Sequence, residues 1–438
     1  MKTFVTFFFF IPFVLYGQTA WSPPITIEGP TIDWRDILYC YSDYNGNHIV
    51  INTWSNGTIR YIRLGLDGEF KYERQIDTDC TYTGFDIFTY AITGYQNELY
   101  LVYLKGTKIK VAKSDDIGDT WDALTEKDIG NTDSDGIDAV YDEKGLHVVW
   151  GVMEDHPGSS PGYETYYERY RRQFPSLWVE NKKITDEPWT WGCGRPSIAL
   201  SENRIHVTYN YECINFRTRD YNFVTTEWEP SQLILHETPP PPGPGWTVVD
   251  FINWGGGRVA VLDNYLHALE YIHVVAEVPG GGEFSDFIYL YDNKRLLSSN
   301  EWGDDMLLTK FTTGYLLPRF VNTGGKLHTI VRYSIDIEIQ YLLYFNFYEN
   351  SWHGPSIIID PDPTFHLCYS GNNQSIYVYW SEYGSNQLHY SYSLQNPVIP
   401  LVVNPFLDKQ NDFFNYEPEV LSKLKNIDTS ISSEKEGE

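Results

Sequence analysis

The chain predicts an all-β fold, a seven-bladed β-propeller of four-stranded antiparallel sheets, on three observations. Aromatic residues that close a hairpin recur at Trp21, Phe70, Trp121, Trp178, Trp228, Trp302 and Trp352, at spacings of 49, 51, 57, 50, 74 and 50 residues. Between them, segments such as Leu146-His147-Val148-Val149-Trp150 and the Tyr-rich Tyr166-Tyr167-Glu168-Arg169-Tyr170 alternate with period two, the period of a strand. A repeat of this size cannot bury both faces of its sheet alone, so it needs a neighbour on each side. Six intervals with a half-unit at each end count seven blades, the last completed jointly by the Trp21 segment and the strand around Leu388 to Tyr392.

Met1-Lys2 followed by an apolar run from Phe4 to Tyr16 has the make-up of a secretory signal, too short to span a bilayer, with cleavage expected near Gly17-Gln18. No cysteine stands at that junction, so a lipid anchor is not expected. Residues 1–17 are therefore read as a signal peptide, 18–405 as the propeller and 406–438 as a C-terminal extension. The expected location is secreted or periplasmic, with no membrane span. The 74-residue interval contains Thr238 to Gly245, a proline-rich stretch broken by glycines, which reads as an extended surface loop within the ring. Only the segment after Tyr416 carries a helical period. It mixes Ser, Lys and Glu and is expected to be mobile at its end.

The octapeptide Ser114-Asp115-Asp116-Ile117-Gly118-Asp119-Thr120-Trp121 spaces Ser, Asp and Gly by two, which suits a tight hairpin whose side chains bond back to their own backbone. The closing Trp is then placed to plug between adjacent sheets. At every fixed position this stretch matches S-x-D-x-G-x-T-W, and the chain resembles the Asp-box repeat proteins of the sialidase-like class. That resemblance covers nearly the whole mature chain as a fold and implies that the Asp-box turns lie on the face opposite the active site.

With 32 basic against 59 acidic residues, the net charge of −27 argues strongly against a nucleic-acid partner, whose affinity would rest on phosphate neutralisation. Residues 160–220 run against that background, with nine Lys/Arg and eight Asp/Glu. The five cysteines, Cys40, Cys80, Cys193, Cys213 and Cys368, are too few and scattered for a disulfide framework, although Cys193 and Cys213 fall in one blade and could pair. No Cys-x-x-Cys or His-Glu-x-x-His spacing announces zinc, and no cofactor is expected from the residues. A structural or catalytic divalent ion is not readable from them. Among the histidines, His147, His206, His273 and His328 are read as one repeated position inside an alternating strand, whereas His156 sits in a Pro/Gly-rich loop past a strand end. Aromatics make up 16% of the chain; most read as blade packing, and those on loops suit sugar faces.

On the resemblance, the active face is built from the loops that begin each blade and those between its second and third strands. These carry Arg35, Asp138, Arg195 and Arg319 at blade starts, and His156, Tyr163, Tyr209 and Tyr211 near the second-to-third-strand loops. A sialidase would need three arginines on a carboxylate; Arg35, Arg195 and Arg319 form a candidate trio, but no Arg-Ile-Pro segment accompanies them. The chain is also similar to seven-bladed polysaccharide lyases of the ulvan-lyase type, which cleave uronic-acid polymers by β-elimination. Such a lyase implies His156 and Tyr209 as proton-transfer residues and Arg195 or Arg217 as the carboxylate neutraliser, with Arg35, Arg319, Asp138, Tyr211 and Tyr163 contributing to substrate binding. Family members commonly carry an earlier blade-start His, where this chain reads Asp135-Gly136-Ile137-Asp138. The expected function is a secreted lyase on ulvan-like poly- or oligosaccharides, acting as a monomer on a carboxylated glycan. A dehydratase on unsaturated uronyl oligosaccharides, a sialidase-like exo-glycosidase and a non-catalytic glycan-binding propeller stand as alternatives.

Overall fold

The computed structural model describes residues 21–393, apart from 34, 83–88, 156–161, 172–176, 186–194, 212–214, 235–238, 254–257, 283, 304–305, 312–319, 324, 335–339, 349–350, 360–363, 373–374 and 383–385. The predicted signal peptide and the C-terminal extension lie outside the described residues. Every regular element among those described is a strand, and the strands form seven antiparallel sheets.

The first blade comprises Ile37–Asp43, Gly46–Asn52, Ile59–Leu64 and Phe70–Asp77, and the second Tyr90–Tyr95, Glu98–Lys105, Lys108–Ser114 and Asp122–Asp128. The third runs Ser134–Asp142, Gly145–Glu154, Gly162–Arg171 and Leu177–Lys183; the fourth Ser197–Ser201, Arg204–Tyr211, Asn215–Asn222 and Glu227–Trp228, with Gln232–Ile234 also on the third of these strands. The sixth is Val321–Thr323, Lys326–Ser334, Gln340–Tyr348 and Ser351–Ile359. In the seventh, Thr364–Gly371, Ile376–Glu382 and Leu388–Tyr392 are completed by the N-terminal strand Ile25–Ile27, which pairs Thr26 with His389. The expected shared blade is therefore present. Each innermost strand touches that of the next blade, and the seventh returns to the first.

The fifth blade departs from the pattern. Its second and third strands, Tyr265–Glu277 and Phe284–Leu296, pair along their whole length, with Met306–Phe311 outside them. The inner edge is shared end to end by Arg258–Leu262, paired with residues 265–269, and Thr247–Asn253, paired with 272–277. The long interval thus holds an extra strand as well as the proline-rich loop, whose Pro240 carbonyl accepts from the Tyr289 hydroxyl at 2.9 Å. Ile272, Val274, Ala276, Phe287 and Tyr289, packed by Trp246 and Phe251, give this extension a core of its own.

In blades one, three and six the repeat is held by a buried His–Tyr unit just after the first turn. His48 and His147 lie two residues beyond Gly46 and Gly145, and their Nδ1 atoms meet the hydroxyls of Tyr61 and Tyr167 at 2.7 and 2.8 Å. His328 makes the same contact with Tyr344 at 2.8 Å. In the fifth blade the equivalent residue is His267, 2.9 Å from Asp292, and not the expected His273, which faces Asp286 further along the extension. The extra strand lengthened the interval and displaced the apparent register. Asp142 accepts from the amides of Lys144 and Gly145 and from His147, tying turn to imidazole. Gly145 has φ +138°, and a Cβ there would stand 2.3 Å from the Tyr170 carbonyl oxygen, so glycine is required at this turn.

In the octapeptide, Ser114 Oγ accepts from the Gly118 amide at 2.7 Å, and Asp116 accepts from the Thr120 amide and hydroxyl at 2.8 and 2.6 Å. The hairpin satisfies its own backbone donors. Trp121 then packs edge-on against Tyr61 of the preceding blade with ring centroids 5.1 Å apart, worth about 0.5–1.5 kcal/mol beyond area burial. Trp228 against Tyr167 and Trp21 against Tyr344 repeat that contact at 5.0 and 5.3 Å. The closing aromatics are the inter-blade plugs. Of the cysteines, Cys40, Cys80 and Cys368 are buried; the Cys193–Cys213 pairing lies outside the described residues.

Candidate functional site

The innermost strands bring distant residues to one level of the ring. Tyr39, Ala91, Asp138, Ser197 and Arg258 each stand four residues before the last inner-strand residue paired across the first turn, namely Asp43, Tyr95, Asp142, Ser201 and Leu262. Asp138 is the hub. Its Oδ1 accepts from the Tyr39 hydroxyl at 3.3 Å and the Ala139 amide at 3.0 Å, and its Oδ2 from the Ser197 hydroxyl at 2.9 Å and the Ile198 amide at 3.1 Å. Arg258 Nη1 lies 3.7 Å from the same Oδ2. Blades one, three, four and five therefore meet at a single carboxylate, and Ala91, in the blade between Tyr39 and Asp138, puts only a methyl group at that level.

A second cluster lies along the seam of blades four and five. Glu270 and Tyr271 fall between the two segments that share the fifth blade's inner edge. Arg195, half-buried at the start of blade four, donates from Nη1 to the Tyr271 hydroxyl at 2.9 Å. Its backbone has φ +28°, a left-handed conformation uncommon for a non-glycine residue. Glu270 is fully buried and accepts from Asn293 Nδ2 at 3.1 Å. Two residues on from Arg195, Ser197 touches Asp138 and also accepts from the Val259 amide at 3.4 Å, linking the two clusters.

The other expected residues are placed differently. Arg35 is gripped by Asp33, with Nε and Nη2 donating at 2.9 and 2.7 Å, and its guanidinium stacks 3.7 Å from the Trp54 ring centre. Its guanidinium therefore has a carboxylate partner of its own. Arg217 donates to Ser231 Oγ at 2.8 Å, and its backbone is opposite Tyr209 in the ladder. Tyr209 is fully buried among Val149, Tyr167, Ile198 and Val207, between blades three and four. Strand alternation sends it to the same face as Val207, so the side chain offers substrate no surface in this arrangement. Tyr163 is half-buried and donates to Asp133 at 2.8 Å, while Tyr211 ends the second strand of blade four. His156 and Arg319 lie outside the described residues.

Several of the cations of residues 160–220 have partners within the chain. Arg204 pairs with Asp220 and Glu229, Lys183 with Glu154 and Glu164, and Arg219 donates to the carbonyls of Glu229 and Ile184. Asp220, buried between His206 and Arg295, is held well below the usual carboxylate range by those two partners, which overcome the opposing effect of burial. No group of three or more metal-ligating side chains occurs among the described residues.

Reasoning from the sequence missed Tyr39, Arg258 and Tyr271. Arg258 had a usable signal, since it begins an inner strand as Arg35 and Arg195 begin theirs. The extra strand of the fifth blade hid that position.

The fold and this central cluster define a seven-bladed β-propeller whose candidate site lies where its inner strands converge. No family model matches the chain, and no curated protein does. Among solved structures, the polysaccharide lyase Uly1 superposes with TM-score 0.48 and 9% identity, covering 84% of this chain and 99% of that one. The Saccharomyces cerevisiae core factor gives TM-score 0.46 and 11% identity over 96% of this chain and 70% of the other. A xylan β-1,4-xylosidase from Bacillus halodurans C-125 gives 0.33 and 11% over 61% of this chain, which spans about half, 54%, of the xylosidase.

Proposed function

We propose that the protein is a carbohydrate-active propeller that cleaves uronic-acid-containing, ulvan-like glycans by β-elimination. The observation that carries this reading is the Arg195–Tyr271 contact of 2.9 Å beside the Arg258–Asp138 pair. β-Elimination removes the proton at C5 of a uronate, places its electron pair in a C4–C5 double bond, and expels the C4 oxygen with a proton. The carboxylate must be neutralised as charge builds on it, which is work for a guanidinium aimed at the substrate. Arg195 and Arg258 are the candidates for that role.

Tyr271 is the candidate for one proton transfer, because a guanidinium donor on a phenol oxygen stabilises negative charge there. His156 is proposed for the second transfer, from the loop between the second and third strands of blade three. Asp138 holds Arg258 and Ser197 in place as a positioning residue, and Arg217 stands in reserve on the fourth blade's third strand. The proposed partner is a carboxylated poly- or oligosaccharide.

Purified protein given ulvan and other uronate polysaccharides is expected to generate ultraviolet absorbance from the unsaturated product. Absence of turnover on all of them would overturn the reading. Loss of absorbance from unsaturated oligosaccharides would reassign the site to a dehydratase, and release of free sialic acid to a sialidase.

A further inference from the structure

The same face carries a second built feature, on the first blade. Trp54 lies in the loop between the second and third strands, Gly46–Asn52 and Ile59–Leu64, on the side from which the inner strands begin. It is 44% exposed, one of seven exposed large apolar side chains among the described residues. Surface aromatics standing alone need no explanation. Trp54 does not stand alone.

One face of its indole is covered by the Arg35 guanidinium at 3.7 Å, and that guanidinium is locked by two bonds to Asp33. The loop is fixed from below by Asp36, fully buried, whose carboxylate accepts from the Trp54 and Asp33 amides, both at 3.0 Å. Burial pushes the Asp36 carboxyl up, while those amides and the nearby Arg60 oppose the shift. The Tyr82 hydroxyl clamps the Arg35 carbonyl at 2.7 Å. Four residues from two segments, 33–36 and Tyr82, thus hold one indole ring in a fixed orientation. Preorganisation of this kind lowers the ordering cost of binding.

We infer that Trp54 is a stacking platform for one pyranose ring of a glycan that extends from the central site toward the first blade. The C–H face of a sugar packs on an aromatic ring, and the cation behind the indole leaves one face open for it. Charge accounting narrows the ligand: Arg35 is already neutralised by Asp33, so the platform recognises the ring and needs no carboxylate on it. This inference rests on the glycan-active reading but can fail separately from it.

The test is affinity electrophoresis in gels containing ulvan or carboxyl-reduced ulvan, alongside kinetics on the native polymer. Retardation is expected in both gels, with Trp54→Ala weakening it by roughly tenfold and Trp54→Tyr restoring most of it. On the polymer, KM should rise with kcat unchanged. Equal retardation of wild type and Trp54→Ala, or no retardation of wild type in either gel, would overturn the platform. Retardation that vanishes on carboxyl reduction would overturn the claim that no carboxylate is needed. Retardation dependent on Trp54 without cleavage of ulvan sinks the lyase reading and leaves the platform standing.

Discussion

The hydroxyl of Tyr39, in the first blade, donates to Asp138 of the third at 3.3 Å, passing the blade between them. A ring fold makes such a contact possible because inner strands of non-adjacent blades share one central space. The contact ties the site to the integrity of the ring.

Asp138→Ala should be costly. It strips partners from Tyr39, Ser197 and the Ile198 amide and leaves the Arg258 guanidinium without its carboxylate. A loss of about 2–4 kcal/mol is expected in chemical denaturation. Asp138→Asn, which keeps the shape and some acceptors, should lose about half as much.

Tyr271→Phe and Arg195→Gln remove the two ends of one hydrogen bond at the seam. Each should lower kcat/KM on a uronate polymer by about 100-fold, the scale of one general acid–base contribution, while the melting temperature moves little. The double variant should lose less than the product of the two single losses, because the hydrogen bond the two residues share is removed only once.

Burial lowers the pKa of His328 from 6.5 to about 4. The folded protein keeps this imidazole neutral, while the unfolded chain takes up a proton below its ordinary pKa. Stability is therefore complete above about pH 6.5 and declines as pH falls toward 4, by up to about 3 kcal/mol at the lower end. His328→Gln should flatten that part of the stability–pH curve.

Gly118→Ala tests the hairpin of the second blade. Its φ is +90°, and a Cβ would stand 2.1 Å from the Tyr61 hydroxyl oxygen, so both backbone and neighbour must yield. A destabilisation of about 2–4 kcal/mol is expected in thermal or denaturant unfolding.

The blade count was legible because each closing aromatic does the same physical job, plugging the gap to the preceding sheet, so selection for that contact writes a period into the chain. Trp121 and Trp228 show it directly. His273 misled because the fifth blade lengthens its second strand, and alternation alone does not distinguish a residue near the turn from one a few steps beyond. The site was harder to read. Arg195 announced itself as a cation at a blade start, but Tyr271 lies in an alternating strand like the packing tyrosines, and only the gap in its neighbouring edge exposes its hydroxyl to Arg195. Tyr209 shows the converse, a tyrosine near a loop whose parity points it into the core.

The pairing of Thr26 with His389 spans 363 positions, nearly the full described length. During synthesis, the earliest strand must wait without a mate until the final hairpin has emerged, and contacts so remote in sequence form slowly. Any nascent chain halted before residue 388 leaves one blade missing its edge and Ile25–Ile27 exposed. Quality control in the producing cell would thus meet this protein as complete or as conspicuously unfinished, with little in between.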